Sequence, residues 1–172
     1  FFSIEKICEE IENFAIIAPT YKNENTYKNY VEIKNNEQTI IEIENKKLLE
    51  VREIDGAAFV INREKFDTNI MDEKIFMYFE STDMCLNTFK KGEKIYAILD
   101  VKFEHLGLQS SEAKYSNEIK KNRNWHYCWS KFYFYKKNYN YFYALSKITP
   151  NFCRSLISII KSFIKRDTEN YD

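Results

Sequence analysis

Apolar and polar positions recur with two different periods along this chain, and each change of period marks an element. Between Ser3 and Phe14, Ile4, Ile7, Cys8 and Ile11 fall at helical spacing, with Ser3 placed to cap and Lys6 standing where a capping-box Glu would be. AIIAP follows as a short buried strand that Pro19 is expected to stop. Residues 20–37 are polar, with Asn23, Asn25, Asn29, Asn35 and Asn36, and read as a long excursion. Period-two alternation returns in TIIEIE, where Ile41 and Ile43 share a face, and again in LLEVREI before Gly56.

AAFVIN, a continuous apolar run between Gly56 and Asn62, predicts a strand buried on both faces. Arg63 to Phe66 reads as a turn or short helix, Thr82 to Lys91 as a helix closed by Gly92, and KIYAILDVKF as a strand. From residue 116 onward, NEIKKNRNWHYCWSKFYFYKKNYNYFYALSK and NFCRSLISIIKSFIK predict two helices. The second places Phe152, Leu156, Ile159, Ile160 and Phe163 on one face and Arg154, Lys161 and Lys165 elsewhere. This order predicts an α/β class: a mixed sheet flanked by helices, with a C-terminal helical extension.

Composition narrows the class. Of 172 residues, 44% are hydrophobic and 17% aromatic, enough for one domain with a sizeable core and too much for a disordered chain. Zero net charge conceals an asymmetry: residues 1–112 hold 14 basic and 22 acidic residues, residues 113–172 hold 12 and 4. The two regions are therefore expected to face different partners. Cys8, Cys85, Cys128 and Cys153 show no C-x-x-C spacing, and His105 and His126 stand at no zinc-ligand interval from them, so reduced and mostly buried thiols in a cytoplasmic protein are expected. No run approaches the ~20 apolar residues of a membrane span. Early acidic residues in FFSIEKICEE are unlike a signal peptide, and a first residue other than Met suggests a piece of a longer product.

All three glycines, Gly56, Gly92 and Gly107, lie between Asp55 and Ser111, which directs the search for chemistry there. The succession DGAAFVINREKFD, FMYFESTDMCLNTFKKG, VKFEHLGLQSS resembles the C-terminal half of a family 2 glycosyltransferase of the rhamnosyltransferase-like type. Those proteins share a G-A-x-hydrophobic strand, an F-D turn, an aromatic-F-E-D-x-D-hydrophobic-C segment, a later Gly and an H-x-x-G-x-S stretch. The likeness spans residues 15–135 in order and spacing. It implies a GT-A-like, mostly parallel sheet, residues 1–112 as the acceptor-side part of the domain, and residues 113–172 as a basic aromatic helical extension packed on it.

The resemblance also implies function. Such enzymes transfer a sugar, with inversion, from a nucleotide-diphosphate sugar to a glycan or lipid-linked acceptor in bacterial surface polysaccharide synthesis, usually with Mg²⁺ or Mn²⁺. Their domain opens with a nucleotide-binding strand and a D-x-D-type motif; neither is present here, and FFSIEKICEEIENF resembles the helix that follows. The transfer needs a carboxylate to take the acceptor's proton. In the family this is usually the second acid of the E-D pair, a position held here by Ser81, which cannot act as a base unaided. Glu80 or Asp83 is then the candidate base. Both also suit the first turn of a helix, where acids favour the positive end of the dipole.

Asp55, Gly56 and Ala57, by the same likeness, form a small-residue floor for the sugar, with Ser81 beside the substrate; a tight strand start needs no ligand to explain it. His105, at a strand end, is the candidate ligand for metal or diphosphate, though a lone histidine is commonly structural. Ser110 and Ser111 could order a loop over the donor or cap a helix before Glu112. In the C-terminal region, Trp125, Tyr127, Trp129, Phe132, Tyr133, Phe134 and Tyr135, interleaved with Lys131, Lys136 and Lys137, suit an anionic membrane surface on the inner face of the plasma membrane or ordinary helix packing. Neutral overall charge and the lack of an RNA-binding signature argue against nucleic acid. The rival readings are a noncatalytic sugar-binding or scaffolding relative and a peripheral membrane-interaction module.

Overall fold

Strand residues pointing alternately to either side give the sheet of this protein two apolar faces, and each is covered by a helix. The computed structural model describes residues 2–11, 13–22, 27–34, 39–67, 69–105 and 116–168. These form two compact units: residues 1–74 with 80–113, and residues 75–79 with 114–172. Ile75–Phe79 belongs with the C-terminal region, and the boundary expected after residue 112 lies outside the described residues.

The first unit contains helix α1 (Phe2–Glu10), strands β1 (Ile16–Tyr21), β2 (Tyr30–Glu32), β3 (Ile40–Ile43), β4 (Lys46–Ile54) and β5 (Val60–Ile61), a 3-10 turn at Arg63–Lys65, helix α2 (Glu80–Lys90) and strand β6 (Ile95–Phe103). The sheet runs in the order β2-β4-β6-β1-β5, with β3 paired to β4. The fold is mixed α/β, but the mostly parallel sheet expected from the resemblance is not what forms. β1 and β6 are parallel, while β1–β5, β2–β4, β3–β4 and β4–β6 are antiparallel. Tight connections cause this, since a two-residue loop can join only antiparallel neighbours and a parallel pair needs a long crossover. Glu44 and Asn45, at φ 51° and 56°, make that loop between β3 and β4.

One sheet face carries Ile16 and Ala18 of β1, Leu49 and Val51 of β4 and Ile95 and Ala97 of β6, packed with Met84 and Cys85 of α2. The opposite face carries Ile17, Leu48, Tyr96 and Ile98, packed with Ile7 and Ile11 of α1. Neighbouring residues of one strand therefore serve different cores, the period of two made visible. Helix α2 ends as its sequence predicts. Glu93 N donates to Thr88 O and Gly92 N to Phe89 O, with Gly92 at φ 76°, a left-handed residue closing a Schellman motif.

Three expectations need correction. Pro19 does not stop β1, which continues to Tyr21 with every residue buried. The register against β6 shifts between Pro19 and Thr20, and the Thr20 hydroxyl donates to Ile98 O at 3.2 Å, opposite the proline that has no N–H to offer. The strand buried on both faces is thus β1. AAFVIN yields only the short edge strand β5, with Ala57 and Val60 exposed, because it pairs on one side alone. The Asn-rich excursion contains β2, placed by pairing with β4. Asn23, Asn25, Asn35, Asn36, Gly107, Ser110 and Ser111 lie outside the described residues.

The second unit is a pair of helices, α3 (Ser116–Asn138) and α4 (Tyr141–Thr168), with Ile75–Phe79 lying against α3. The break between helices is at Asn140, not at Pro150 as the sequence suggests. Asn140 Oδ1 accepts from Tyr143 N at 2.9 Å and caps α4, while Pro150 lies inside it. Ser130 Oγ donates to Met77 O at 2.7 Å, and the Phe79 ring lies 5.3 Å from that of Phe134 and 5.7 Å from that of Tyr127. No helix among the described residues is long and apolar enough to cross a membrane. All four cysteines are free, but only Cys85 is buried; Cys153 lies on the open surface of α4.

Candidate functional site

Strand ends supply the walls of a cleft in the first unit. Tyr21 and Lys22 leave β1, Phe103, Glu104 and His105 leave the parallel neighbour β6, and Asp55 leaves β4; with Tyr27 they enclose about 440 Å³. Parallel neighbours end on the same side, so an opening forms where their chains diverge. A polar pin holds it. Asn29, 2% exposed, accepts from Tyr21 N at 3.2 Å through Oδ1, donates to Pro19 O at 2.9 Å through Nδ2, and its own carbonyl accepts from Asp55 N at 2.7 Å.

The cleft is aromatic on one wall and charged on the other. The exposed His105 imidazole stacks on Tyr21 with ring centroids 5.8 Å apart and planes within 5°, and Phe103 packs on the same tyrosine at 4.8 Å. Tyr27 Oη donates to Asp55 Oδ2 at 3.4 Å, and Asp55 Oδ1 accepts from Ala57 N at 3.1 Å, closing the Asp-Gly-Ala turn. Burial first, then the negative charge of Asp55, pushes the Tyr21 phenol well above its ordinary range, and the same two causes raise that of Tyr27. Both rings therefore stay protonated near neutrality. The Tyr21 hydroxyl is buried and faces the Asp55 carboxylate. Lys22 and Glu104 face each other at 3.8 Å, both well exposed.

The sequence candidates fall into three groups. Asp55 and His105, fifty residues apart, share the cleft. Gly56 and Ser81 touch: a Cβ added to Gly56 would stand 3.3 Å from both Cβ and Oγ of Ser81, so the Asp55–Ala57 turn lies against the first turn of α2. Glu80, half-buried at the start of that helix, has its Oε2 enclosed without a hydrogen-bond partner. The backbone before it is strained, with Tyr78 and Phe79 at φ 65° and 67°.

Asp83 does not join them. It is 2% exposed and accepts from Asn87 Nδ2 at 3.2 Å within α2, which makes it an interior carboxylate and not one offered to a substrate. Thr82 instead reaches out of the helix, its hydroxyl donating to Glu53 Oε1 of β4 at 2.6 Å.

Sequence reasoning missed the residues that give the cleft its shape. Tyr21 and Tyr27 sit in or beside the polar excursion and meet Asp55 only in the fold, Tyr27 through its hydroxyl and Tyr21 through the Asn29 pin; the one local signal was an aromatic at each strand terminus, Tyr21 and Phe103. A second groove of about 370 Å³, between the 3-10 turn and α2 and edged by Lys65, Asn87 and Lys91, holds none of the predicted site residues. Among the described residues no three His, Cys, Asp or Glu side chains gather into a metal-binding group. Comparison with protein-family models, with curated proteins and with solved structures finds no match.

Proposed function

We propose that this chain is the acceptor-side part of an inverting, GT-A-like glycosyltransferase that moves a sugar from a nucleotide-diphosphate sugar to a glycan or lipid-linked acceptor. The observation that carries the reading is the packing of the Asp55–Ala57 turn on Ser81, which draws the G-A and F-E-S-T-D motifs together although 24 residues separate Gly56 from Ser81. Sugar transfer needs that juxtaposition: backbone without bulk where the ring lies, and a carboxylate at its edge.

Glu80 takes the role of proton acceptor. One of its carboxylate oxygens is enclosed and unpaired, a cost of about 1–3 kcal/mol in a protein that gains nothing from it. An acceptor hydroxyl admitted to this oxygen by a turn of the half-buried side chain would supply the missing hydrogen bond and present the proton to be removed. The aromatic wall of Tyr21 and Phe103 offers an apolar surface to a sugar or base.

The residues around His105 do not fit the Mg²⁺ or Mn²⁺ ion that the resemblance implies: among the described residues no three His, Cys, Asp or Glu side chains gather to hold one, and no step is assigned to an ion.

The test is turnover of nucleotide sugars by the complete polypeptide that contains this chain. Glu80→Gln should lower kcat by about 10²- to 10⁴-fold with little change in KM, and Ser81→Asp, which restores the usual second acid, should raise it. Donor consumption unaffected by Glu80→Gln would overturn the assignment. The serine at position 81 also favours one alternative, a noncatalytic sugar-binding relative. Calorimetric binding of donor with no turnover, and no gain from Ser81→Asp, would identify it.

A further inference from the structure

The C-terminal helix pair turns an apolar face outward. On α3, Trp125, Trp129, Phe132 and Lys136 follow at i, i+4, i+7 and i+11, along one side of the helix, and the two tryptophans are 69% and 51% exposed. On α4, Tyr141, Leu145, Phe152, Leu156 and Ile159 keep the same phase; Phe152 is 67% and Ile159 53% exposed. Phe132 and Tyr141 meet edge to face at 5.8 Å, which joins the two stripes on one side of the pair. The Ile75–Phe79 segment is held from a different side of α3, by Ser130 and Phe134.

Charge says what covers this face. Residues 119–166 contain no Asp or Glu, and Lys147, Arg154 and Lys161 line the polar side of α4 at seven-residue intervals. Two copies joined through this face would bring two strongly basic helix pairs together, Lys136 of the stripe among their cations, with Glu118 and Asp167 at the far ends of the helices as the acids they contain. An anionic lipid surface would neutralise them. Since no described helix is long and apolar enough to cross a bilayer, the mode that remains for α4 is in the plane of the interface.

We infer that α3 and α4 form an in-plane docking surface for an anionic lipid bilayer. Trp125 and Trp129 lie at headgroup depth, the Phe152, Leu156 and Ile159 stripe enters the acyl boundary, and the basic side of α4 supplies the attraction. This holds whether or not the first unit transfers sugar.

Vesicle flotation of the full chain tests it, using phosphatidylcholine vesicles with and without about one third phosphatidylglycerol. The chain should float with the anionic vesicles and much less with the neutral ones, and raising salt from about 0.1 M to 1 M should weaken binding. Leu156→Glu with Ile159→Glu should reduce affinity about tenfold or more beyond the loss from Ser146→Glu with Ser158→Glu, which adds the same charge away from the apolar stripe of α4. These positions are exposed, so helicity by circular dichroism should be unchanged. Three results would overturn the inference: no flotation with anionic vesicles, equal loss in the two paired variants, or a dimer in sedimentation that the apolar-face variant dissociates while neither vesicle is bound.

Discussion

Adding a single methyl group at Gly56 tests the contact on which the candidate site is built. In Gly56→Ala the new Cβ stands 3.3 Å from Ser81 Cβ and 3.3 Å from Ser81 Oγ, inside the ~3.5–4.0 Å optimum for nonbonded heavy atoms. Neither partner is the far end of a flexible chain, because both atoms are tied to the first turn of α2. Overpacking of this kind costs about 1–3 kcal/mol. Gly56 lies outside the left-handed region, so alanine also gains about 0.4–1 kcal/mol by restricting the unfolded chain. The net expectation is a loss of about 1 kcal/mol.

Ser81→Gly removes both opposing atoms, so in that background Gly56→Ala should become neutral or slightly stabilising. The double-mutant cycle should then return a coupling of about 1 kcal/mol or more. Urea unfolding followed by circular dichroism reads each corner of the cycle, the midpoint shifting at constant slope. A Gly56→Ala variant as stable as the parent, or one whose cost is the same with and without the serine side chain, would refute the proposed packing of the turn on α2.

Other expectations follow from the same core. Asn29→Ala strips partners from Tyr21 N and Pro19 O and should cost about 2–3 kcal/mol in urea unfolding; a loss near zero would mean the pin is dispensable. Burial pushes the Cys85 thiol from 9.0 up to about 12, so it keeps its proton in the folded protein over a range where the unfolded chain ionises. Its contribution is complete below pH 9.0 and is lost as pH rises toward 12, about 2 kcal/mol by the middle of that window, so the unfolding midpoint should fall more steeply with alkalinity in the parent than in Cys85→Ala. Equal slopes would remove that assignment. Glu44→Asn with Asn45→Gly places residues suited to positive φ in the β3–β4 loop and should add about 1 kcal/mol, read as a higher thermal midpoint.

What the sequence disclosed was local. The α2 helix and its Gly92 stop, the β3 and β4 alternation and the β6 strand depend on residues a few positions apart, and the structure has them where the spacing put them. The misreadings depend on partners. Pro19 continues in a strand because a hydroxyl from the next residue serves the carbonyl it cannot reach, and AAFVIN is only partly buried because one neighbour alone pairs with it. Asn140 starts α4 and Pro150 does not, since a cap is a hydrogen bond and a helix of this length can enclose one proline.

At the site, motif order pointed to Asp55 and His105, which share the cleft, and to Gly56 and Ser81, which pack together outside its lining. Asp83 was legible as an acid but not as an interior one, because its burial is decided by the sheet beneath α2. Tyr21 owes its place to the Asn29 carboxamide and Tyr27 to Asp55 and the Tyr21 ring, contacts with no spacing rule to announce them.

The rings of Ile75–Phe79 belong to a different unit from the residues on either side of them, so the polypeptide passes from one unit to the other three times. A cut after residue 113 would therefore not release an intact amino-terminal half: it would leave Phe79 without Tyr127 and Phe134, and Met77 without the hydroxyl of Ser130. The helices are a structural dependant of a five-residue loan from the sheet unit's chain, and neither part can be expressed, exchanged or lost by a single break without baring apolar rings to water.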